Sequence, residues 1–347
     1  VATDAVDAVF STQVDHLLAR FVERQRSLFA GMGPDLDELA DAAAAFVEGG
    51  KRLRPQFCFA GWLVAGGDPD EPGIVPPAAS LEWLQGSALV HDDLMDGSNT
   101  RRGRPAVHRE FESRHRHDAR VGDPEGFGES VAVLLGDLML SWCDEMFRAS
   151  TLPTVPRALT YLDLCKTEVV AGQFLDVVGQ TRPTLSVDEA MRVVRFKSAK
   201  YTVERPLHIG AALAGADEDL VAGLSQVALP LGEAFQLRDD VLGVFGDPEV
   251  TGKPAGDDLR EGKRTVLVAR THELTDAAGR TLLADALGTV DGVAALADLI
   301  RSSGALDAVE ADISRLEAAS DAAIDRLGGR AHEVLHPLAL KATRRAR

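Results

Sequence analysis

Two groups of acidic residues stand out for what they could do together. The first is Asp92-Asp93-Leu-Met-Asp96. On a helix, positions i and i+4 share a face, so Asp92 and Asp96 project together with Asp93 beside them. Carboxylates packed in this way at the end of an apolar stretch repel one another and call for a counter-cation. Hard oxygen ligands without a Cys/His cluster favour magnesium or manganese over zinc. A solvated acidic helix end is the plain alternative. The second group, Asp239-Asp240, also follows apolar residues, with Gln236 one turn before Asp239. Read singly, this pair is a helix cap or surface charge. Read with the first, two such helices facing each other would form a divalent-cation cage for a diphosphate.

Basic residues accompany both groups. Gly49-Gly-Lys-Arg-Leu-Arg-Pro55 concentrates Lys51, Arg52 and Arg54 beside two glycines, with Pro55 suited to the first turn of a helix. Arg101-Arg102-Gly103 follows the first acidic group by a few residues, and Lys197, Lys200, Lys253 and Lys263 complete the set. Arginine forks grip phosphate oxygens bidentately, whereas lysine acts as a point charge. Ordinary surface cations are the competing reading, above all for Lys200. His332-Glu-Val-Leu-His336 has the zinc-protease spacing, but Pro337 follows at once and no third ligand stands downstream. Gly252-Lys253 and Gly262-Lys263 lack the remaining elements of a phosphate-binding loop. Arg114-His-Arg-His117 reads as a solvated loop.

The elements that must hold these residues are helical. Leu36-Leu39-Ala40-Ala43-Phe46-Val47 keeps the spacing of an amphipathic helix, as do Leu84-Ala88-Leu89, Leu134-Leu138-Trp142 and Val169-Phe174-Val177. Alternating strand patterns are almost absent. Turn signals at Gly66–Gly73, Gly122–Pro124, Thr181–Pro183 and Gly246–Pro248 punctuate the helices. No linker or repeat marks a boundary, so the expectation is one domain over residues 1–347: an all-α bundle of ten or more helices.

Composition sets the outer limits. The 347 residues are 45% hydrophobic and 26% charged, which is globular. Thirty-seven Lys+Arg against 54 Asp+Glu leave a net charge of −17, a surface that repels nucleic acid. No continuous apolar run approaches the roughly 20 residues of a membrane span, and the N-terminal residues Asp4, Asp7 and Asp15 do not suit a secretory signal. Cys58, Cys143 and Cys165 fit neither a disulfide nor a zinc pattern and read as small buried hydrophobes in a reducing compartment. The expectation is an acidic cytoplasmic protein without stable membrane insertion.

In order and spacing these motifs resemble the trans-isoprenyl diphosphate synthases (polyprenyl synthetases) of the short-chain type, over about residues 49–265. The resemblance implies an isoprenoid-synthase bundle around a deep central cavity, a homodimer, and magnesium, three ions per site, with manganese as a substitute. It assigns Lys51, Arg54 and Gln85 to isopentenyl diphosphate, and Asp92, Asp93 and Asp96 to the metals on the allylic diphosphate. Arg101 would tend the allylic diphosphate and Arg102 isopentenyl diphosphate. Gln173, with Asp176 in Gly172-Gln-Phe-Leu-Asp176, would line the cavity wall. Lys197 and Ser198 would turn oxygens to the developing carbocation. Gln236, Asp239 and Asp240 match the second acidic motif, and Lys253 and Lys263 the lysines after it. Three positions depart from the pattern. Gln85 stands where many members carry histidine, Ser198 where threonine is usual, and Gly243 where the second motif has its third aspartate; Asp247 is the residue downstream that could compensate.

Product length follows from helix geometry. Five residues before Asp92 is roughly 7.5 Å deeper along a helix, and that residue is Ser87, next to Ala88. Members stopping at fifteen carbons tend to carry aromatics there. The open level favours geranylgeranyl diphosphate, with Trp83, Met139 or Trp142 as the floor. The alternatives are a farnesyl or longer product, or a non-catalytic subunit of a heteromeric synthase. A class I terpene cyclase lacks any need for the Gly-Lys-Arg-Leu-Arg-Pro segment, and a zinc protease rests on the His332/His336 spacing alone.

Overall fold

A computed structural model of the chain describes residues 2–247 and 255–343, with side chains from residue 8 onward. The chain forms two compact units. Residues 1–161 and 206–217 make the first; residues 162–205 and 218–347 make the second. The elements are α-helices except for a π-helix, a short 3₁₀ turn and one two-residue ribbon, Thr100–Arg101 paired antiparallel with Arg104–Pro105.

The first unit contains α1 (Ala2–Phe29), α2 (Leu36–Val47), α3 (Leu53–Val64), α4 (Val75–Met95), α5 (Val107–His117) and α6 (Pro124–Phe147). Helix α7 (Val155–Gln180) begins there and continues into the second unit. The 36–47 spacing is realised as α2, which buries Ala40, Ala43 and Val47. Asp123 caps α6, accepting from the Glu125 and Gly126 N–H groups, with Pro124 in the first turn. Helix α4 is buried along most of its length and packs on α6 and α1. Beneath it lies an aromatic layer: Trp83 stands 5.1 Å from Trp142 and 5.5 Å from Phe21, ring centre to ring centre. Most of the Arg205–Leu213 helix (α9) packs against α3 in a close crossing. A Cβ on Gly61 would overlap the Leu207 carbonyl, and one on Gly210 the Cys58 carbonyl. Only glycine permits that approach from both sides.

The second unit follows Ser186, whose side chain and Glu189 form a reciprocal capping box at the start of α8 (Val187–Val193). The π-helix Val194–Glu204 comes next and packs on α10 (Glu218–Phe245), where a Cβ on Gly232 would overlap Ala199. Five further helices complete the unit: α11 (Asp257–Arg260), α12 (Val266–Leu274), α13 (Ala277–Ala286), α14 (Val293–Ser302) and α15 (Ala305–Leu327). Helix α16 (Gly329–Thr343) ends it. Its core gathers Leu237, Val241, Val244, Leu259, Leu267, Leu296, Ile300, Val309 and Ile313. Helices α6 and α10 are long and apolar enough, by length and composition alone, to cross a membrane. Both are interrupted by acidic residues, and α10 buries Asp240 and Glu233, which identifies it as a core helix.

Several sequence expectations are corrected here. Arg114–His117 is the last turn of α5 rather than a loop; His115 is buried, its ring 5.2 Å from that of Phe127 and its Nε2 3.3 Å from the Val121 carbonyl. Leu134 and Phe174 lie on the helices their spacing predicts, yet are 62% and 67% exposed. Periodicity reports that residues share a face, not that anything covers it. The three cysteines are buried, as expected, and none is in a disulfide.

Candidate active site

Helix α4 carries the first acidic motif on its last turn. The Asp96 N–H bonds the Asp92 carbonyl at 2.8 Å, and Gly97 leaves the helix with φ +63°. The structure separates the three carboxylates instead of presenting them alike. Asp93 turns inward, its side chain 1% exposed, where the Arg101 guanidinium grips it bidentately: Nε lies 2.9 and 3.1 Å from the two oxygens, and Nη2 bonds Oδ1. Asp92 is 3.9 Å from the same guanidinium and partly open. Asp93 thus anchors Arg101, while Asp92 and Asp96 are both half-buried. Arg101 is correspondingly committed to Asp93.

The cations of this unit cluster. Lys51 is exposed, and Arg54 is half-buried in the first turn of α3. Arg102 sits in the tight turn of the two-residue ribbon with φ +51°, its Nη1 3.4 Å from the Phe46 carbonyl. Burial, together with the neighbouring Arg101, Arg52 and Arg54, lowers the Arg102 pKa, and the Glu82 carboxylate opposes that shift. Gln85, half-buried, lies one turn after Glu82 on α4. The Arg102 guanidinium stands close enough to those of Arg101, Arg52 and Arg54 to feel their charge, a cluster suited to a multiply charged anion.

The second unit is built differently. Asp239 and Asp240 sit on α10, Asp240 buried and Asp239 half-buried. Burial, then the nearby Asp258, hold the Asp240 carboxyl well above its ordinary range; the Gln236 amide, bonded to its Oδ1 at 2.8 Å, opposes the shift. Gln236 therefore serves Asp240 rather than Asp239. A Cβ on Gly243 would overlap Asp258 Oδ2. The carboxylate missing at position 243 is thus replaced in space by Asp258, fifteen residues on in sequence and tied back by the Gly256 N–H to the Gly243 carbonyl at 3.0 Å. Asp247, the residue expected to compensate, is exposed at the end of α10. Lys263 Nζ stands 3.8 Å from Asp258 and 2.8 Å from Glu261. Lys253 lies outside the described residues.

Lys197, Ser198 and Lys200 ride on the π-helix, an element found most often at functional sites. It passes α7 at Gly172, where a Cβ would overlap the Lys197 backbone. Lys197 Nζ bonds Asp176 Oδ2 at 2.6 Å, next to half-buried Gln173. Lys200 is no surface cation. It pairs with Glu168 at 2.7 Å, and Arg205 grips the same carboxylate at 2.6 and 2.8 Å. Sequence reasoning missed Glu82, Glu168, Arg205 and Asp258; only Asp258, in an acidic pair before Lys263, left a signal.

The donors present suit magnesium. Among the described residues no three Asp, Glu, His or Cys side chains converge tightly enough to hold an ion by themselves. Magnesium asks for no such cage, since it takes one or two carboxylates and completes its octahedron with phosphate oxygens and water. Asp92, Asp96, Asp239 and Asp258 offer carboxylates of that kind, and the rings of His332 and His336 stack 5.3 Å apart with no third metal-binding side chain grouped with them among the described residues.

The polyprenyl synthetase family profile matches residues 36–301. A geranylfarnesyl diphosphate synthase of Aeropyrum pernix is 33% identical over 79% of this chain and 83% of its own. A (2E,6E)-farnesyl diphosphate synthase of Mycobacterium tuberculosis is 35% identical over 74% and 68%. The crystal structure of a geranylgeranyl pyrophosphate synthase from Corynebacterium glutamicum, complexed with isoprenyl diphosphate and magnesium, superposes with a TM-score of 0.93 at 39% identity, covering 99% of this chain and all of that one. With an all-α fold, two acidic motifs and arginine clusters in the family's order, the chain belongs to the polyprenyl synthetases, magnesium-dependent prenyltransferases that join isopentenyl diphosphate head to tail to an allylic diphosphate.

Proposed function

We propose that the protein makes geranylgeranyl diphosphate. The relatives do not decide length, because their names span farnesyl, geranylgeranyl and geranylfarnesyl products at similar identity. The observation that carries the reading is the layering of α4. Ser87 is small and buried, and one turn deeper the fully buried Trp83 packs on Trp142 and Phe21. Gly86 beside Ser87 leaves room for Met139, whose sulfur would lie 2.6 Å from a Cβ there. From Asp92 the open level is roughly 7.5 Å along the helix and the aromatic one about 13.5 Å. A growing tail passes the first and stops at the second.

The chemistry is divided among the chain's own groups. Lys51, Arg54 and Arg102, with Gln85, hold the diphosphate of isopentenyl diphosphate. Asp92 and Asp96 would hold magnesium, and so would Asp239 and Asp258; three ions are proposed, and manganese, with the same preference for oxygen, would serve. Bound magnesium neutralises the leaving diphosphate and favours ionisation of the allylic carbon–oxygen bond. Lys197, tethered to Asp176, and Ser198 hold oxygens toward the developing cation, and apolar walls keep water away from it. Lys253 and Lys263 steady the allylic diphosphate.

The protein is further proposed to be a homodimer. Val170, Phe174 and Val177 share one face of α7 and are 65%, 67% and 36% exposed, an apolar stripe of the kind that marks an interface. Phe174→Glu should give monomers by light scattering where the wild type gives dimers. Buried thiols outside any disulfide support a reducing, cytoplasmic setting, and the net charge of −17 argues against nucleic-acid partners.

The test incubates purified protein with isopentenyl diphosphate and dimethylallyl, geranyl or farnesyl diphosphate, with magnesium or chelator, and reads chain length by mass spectrometry. Twenty carbons that vanish on chelation are expected. Ser87→Phe should shift the product to fifteen carbons. A wild-type fifteen-carbon product overturns the layering argument, and no product with any primer favours a silent subunit.

A further inference from the structure

Arg52 is the middle cation of the Gly49–Pro55 segment, yet it does not point to solvent. Its side chain is 4% exposed. Nε donates to Asp15 on α1 at 2.6 Å, Nη1 to Glu82 on α4 at 2.6 Å, and Nη2 to the Val47 carbonyl at the end of α2. One guanidinium therefore ties together three helices at the point where α3 begins. The backbone of Arg52 is itself unusual: φ is +49°, following Gly49 and Gly50 at +68° and +96°. A left-handed non-glycine residue is costly and persists where its surroundings over-determine it; here the three anchors do so. The Arg52 carbonyl then accepts the Gln56 N–H at 2.9 Å and starts α3. Lys51 precedes this fixed point and Arg54 follows it.

Glu82 is the second half of the device. Its side chain is 6% exposed and its Oε1 has no hydrogen-bond partner. It is the one carboxylate among the groups that perturb Arg102. A lone buried carboxylate set among arginines balances their charge while the anion they await is absent.

We propose that Arg52 and Glu82 are positioning residues for the homoallylic diphosphate: the Arg52 fork locks the left-handed turn so that Lys51 and Arg54 are presented together, and Glu82 holds that fork and offsets the arginine cluster. This rests on the assignment of Lys51 and Arg54 to isopentenyl diphosphate. Neither Arg52 nor Glu82 touches substrate.

The experiment measures kcat and both Michaelis constants, with farnesyl diphosphate as primer, alongside melting temperature for Arg52→Ala, Arg52→Gly, Arg52→Lys, Glu82→Gln and Lys51→Ala. Losing charge-assisted hydrogen bonds should raise KM for isopentenyl diphosphate about tenfold in Arg52→Ala, with KM for farnesyl diphosphate changed less than about threefold. Arg52→Gly should do no better, although glycine adopts the turn freely, and Arg52→Lys should recover part of the loss. If Arg52→Gly keeps the wild-type KM, only backbone geometry matters and the inference falls. It falls also if both KM values rise together with the loss of melting temperature. Glu82→Gln keeps the shape and folds even where Arg52 variants do not; an unchanged KM there removes Glu82 from the proposal. Lys51→Ala separates the two levels. If it leaves KM for isopentenyl diphosphate unchanged, the underlying site assignment fails; if it raises KM while Arg52→Ala does not, the positioning inference alone fails.

Discussion

The two units prepare their charged groups in opposite ways. Around the acidic motif of the first, acid and base are already paired: Asp93 is locked to Arg101, and Arg52 to Glu82 and Asp15. In the second, Lys197 and Lys200 are likewise paired, with Asp176 and Glu168, but at the end of α10 the acids crowd one another. Asp240 is buried beside Asp258 and Asp239, with the neutral Gln236 amide donating to it and Lys263 as a nearby cation. Those buried acids of the first unit are neutralised before substrate arrives, whereas the cluster around Asp240 carries an electrostatic cost until a cation relieves it. The same residue type consequently does different work in each. A buried aspartate in the first unit is scaffold; around α10 it is unmet demand for positive charge.

The comparison breaks most visibly at the carboxylates proposed to hold magnesium. Asp92→Ala and Asp239→Ala should each cost about 10³-fold in kcat, the several kcal/mol by which a metal ion stabilises developing charge. Asp93→Asn should cost far less, about tenfold, because it loosens Arg101 and removes no ligand; a loss equal to that of Asp92→Ala would return Asp93 to the metal shell. Smaller again is Asp258→Asn, which should weaken manganese binding in the presence of inorganic pyrophosphate about tenfold, read by electron paramagnetic resonance. Unchanged binding would leave Asp258 as a packing partner of Gly243 and nothing more.

How much of this was legible in the sequence depends on how far each interaction reaches. The helix over Leu36–Val47, the acidic motif at the end of α4 and the glycine-flanked cations are local patterns, and each appears where its spacing places it. Arg52 looked like one more phosphate ligand, because residue type records charge but not that the side chain runs back to Asp15 and Glu82, 37 and 30 positions away. Asp258 replaces a carboxylate absent at Gly243 only because the chain folds back, as the Gly256–Gly243 bond shows. The π-helix was invisible, since over eleven residues its period cannot be told from that of an α-helix. Phe174 lies on the helix its spacing predicts and is exposed, because a lone chain says nothing of what covers a stripe.

The claim that the two units differ in stored electrostatic cost is tested most directly by melting the metal-free protein across pH. The Asp240 pKa is raised in the folded state, so the carboxyl is neutral and harmless at low pH and destabilises the fold as pH rises through that raised pKa. Asparagine in its place has no charge to acquire. Asp240→Asn should therefore melt about 3 °C or more above wild type at pH 8, with the gain fading toward pH 4, while Asp92→Asn, whose carboxylate is partly open beside Arg101, should gain nothing at either pH. Equal stabilisation by both substitutions, or by neither, would contradict the account.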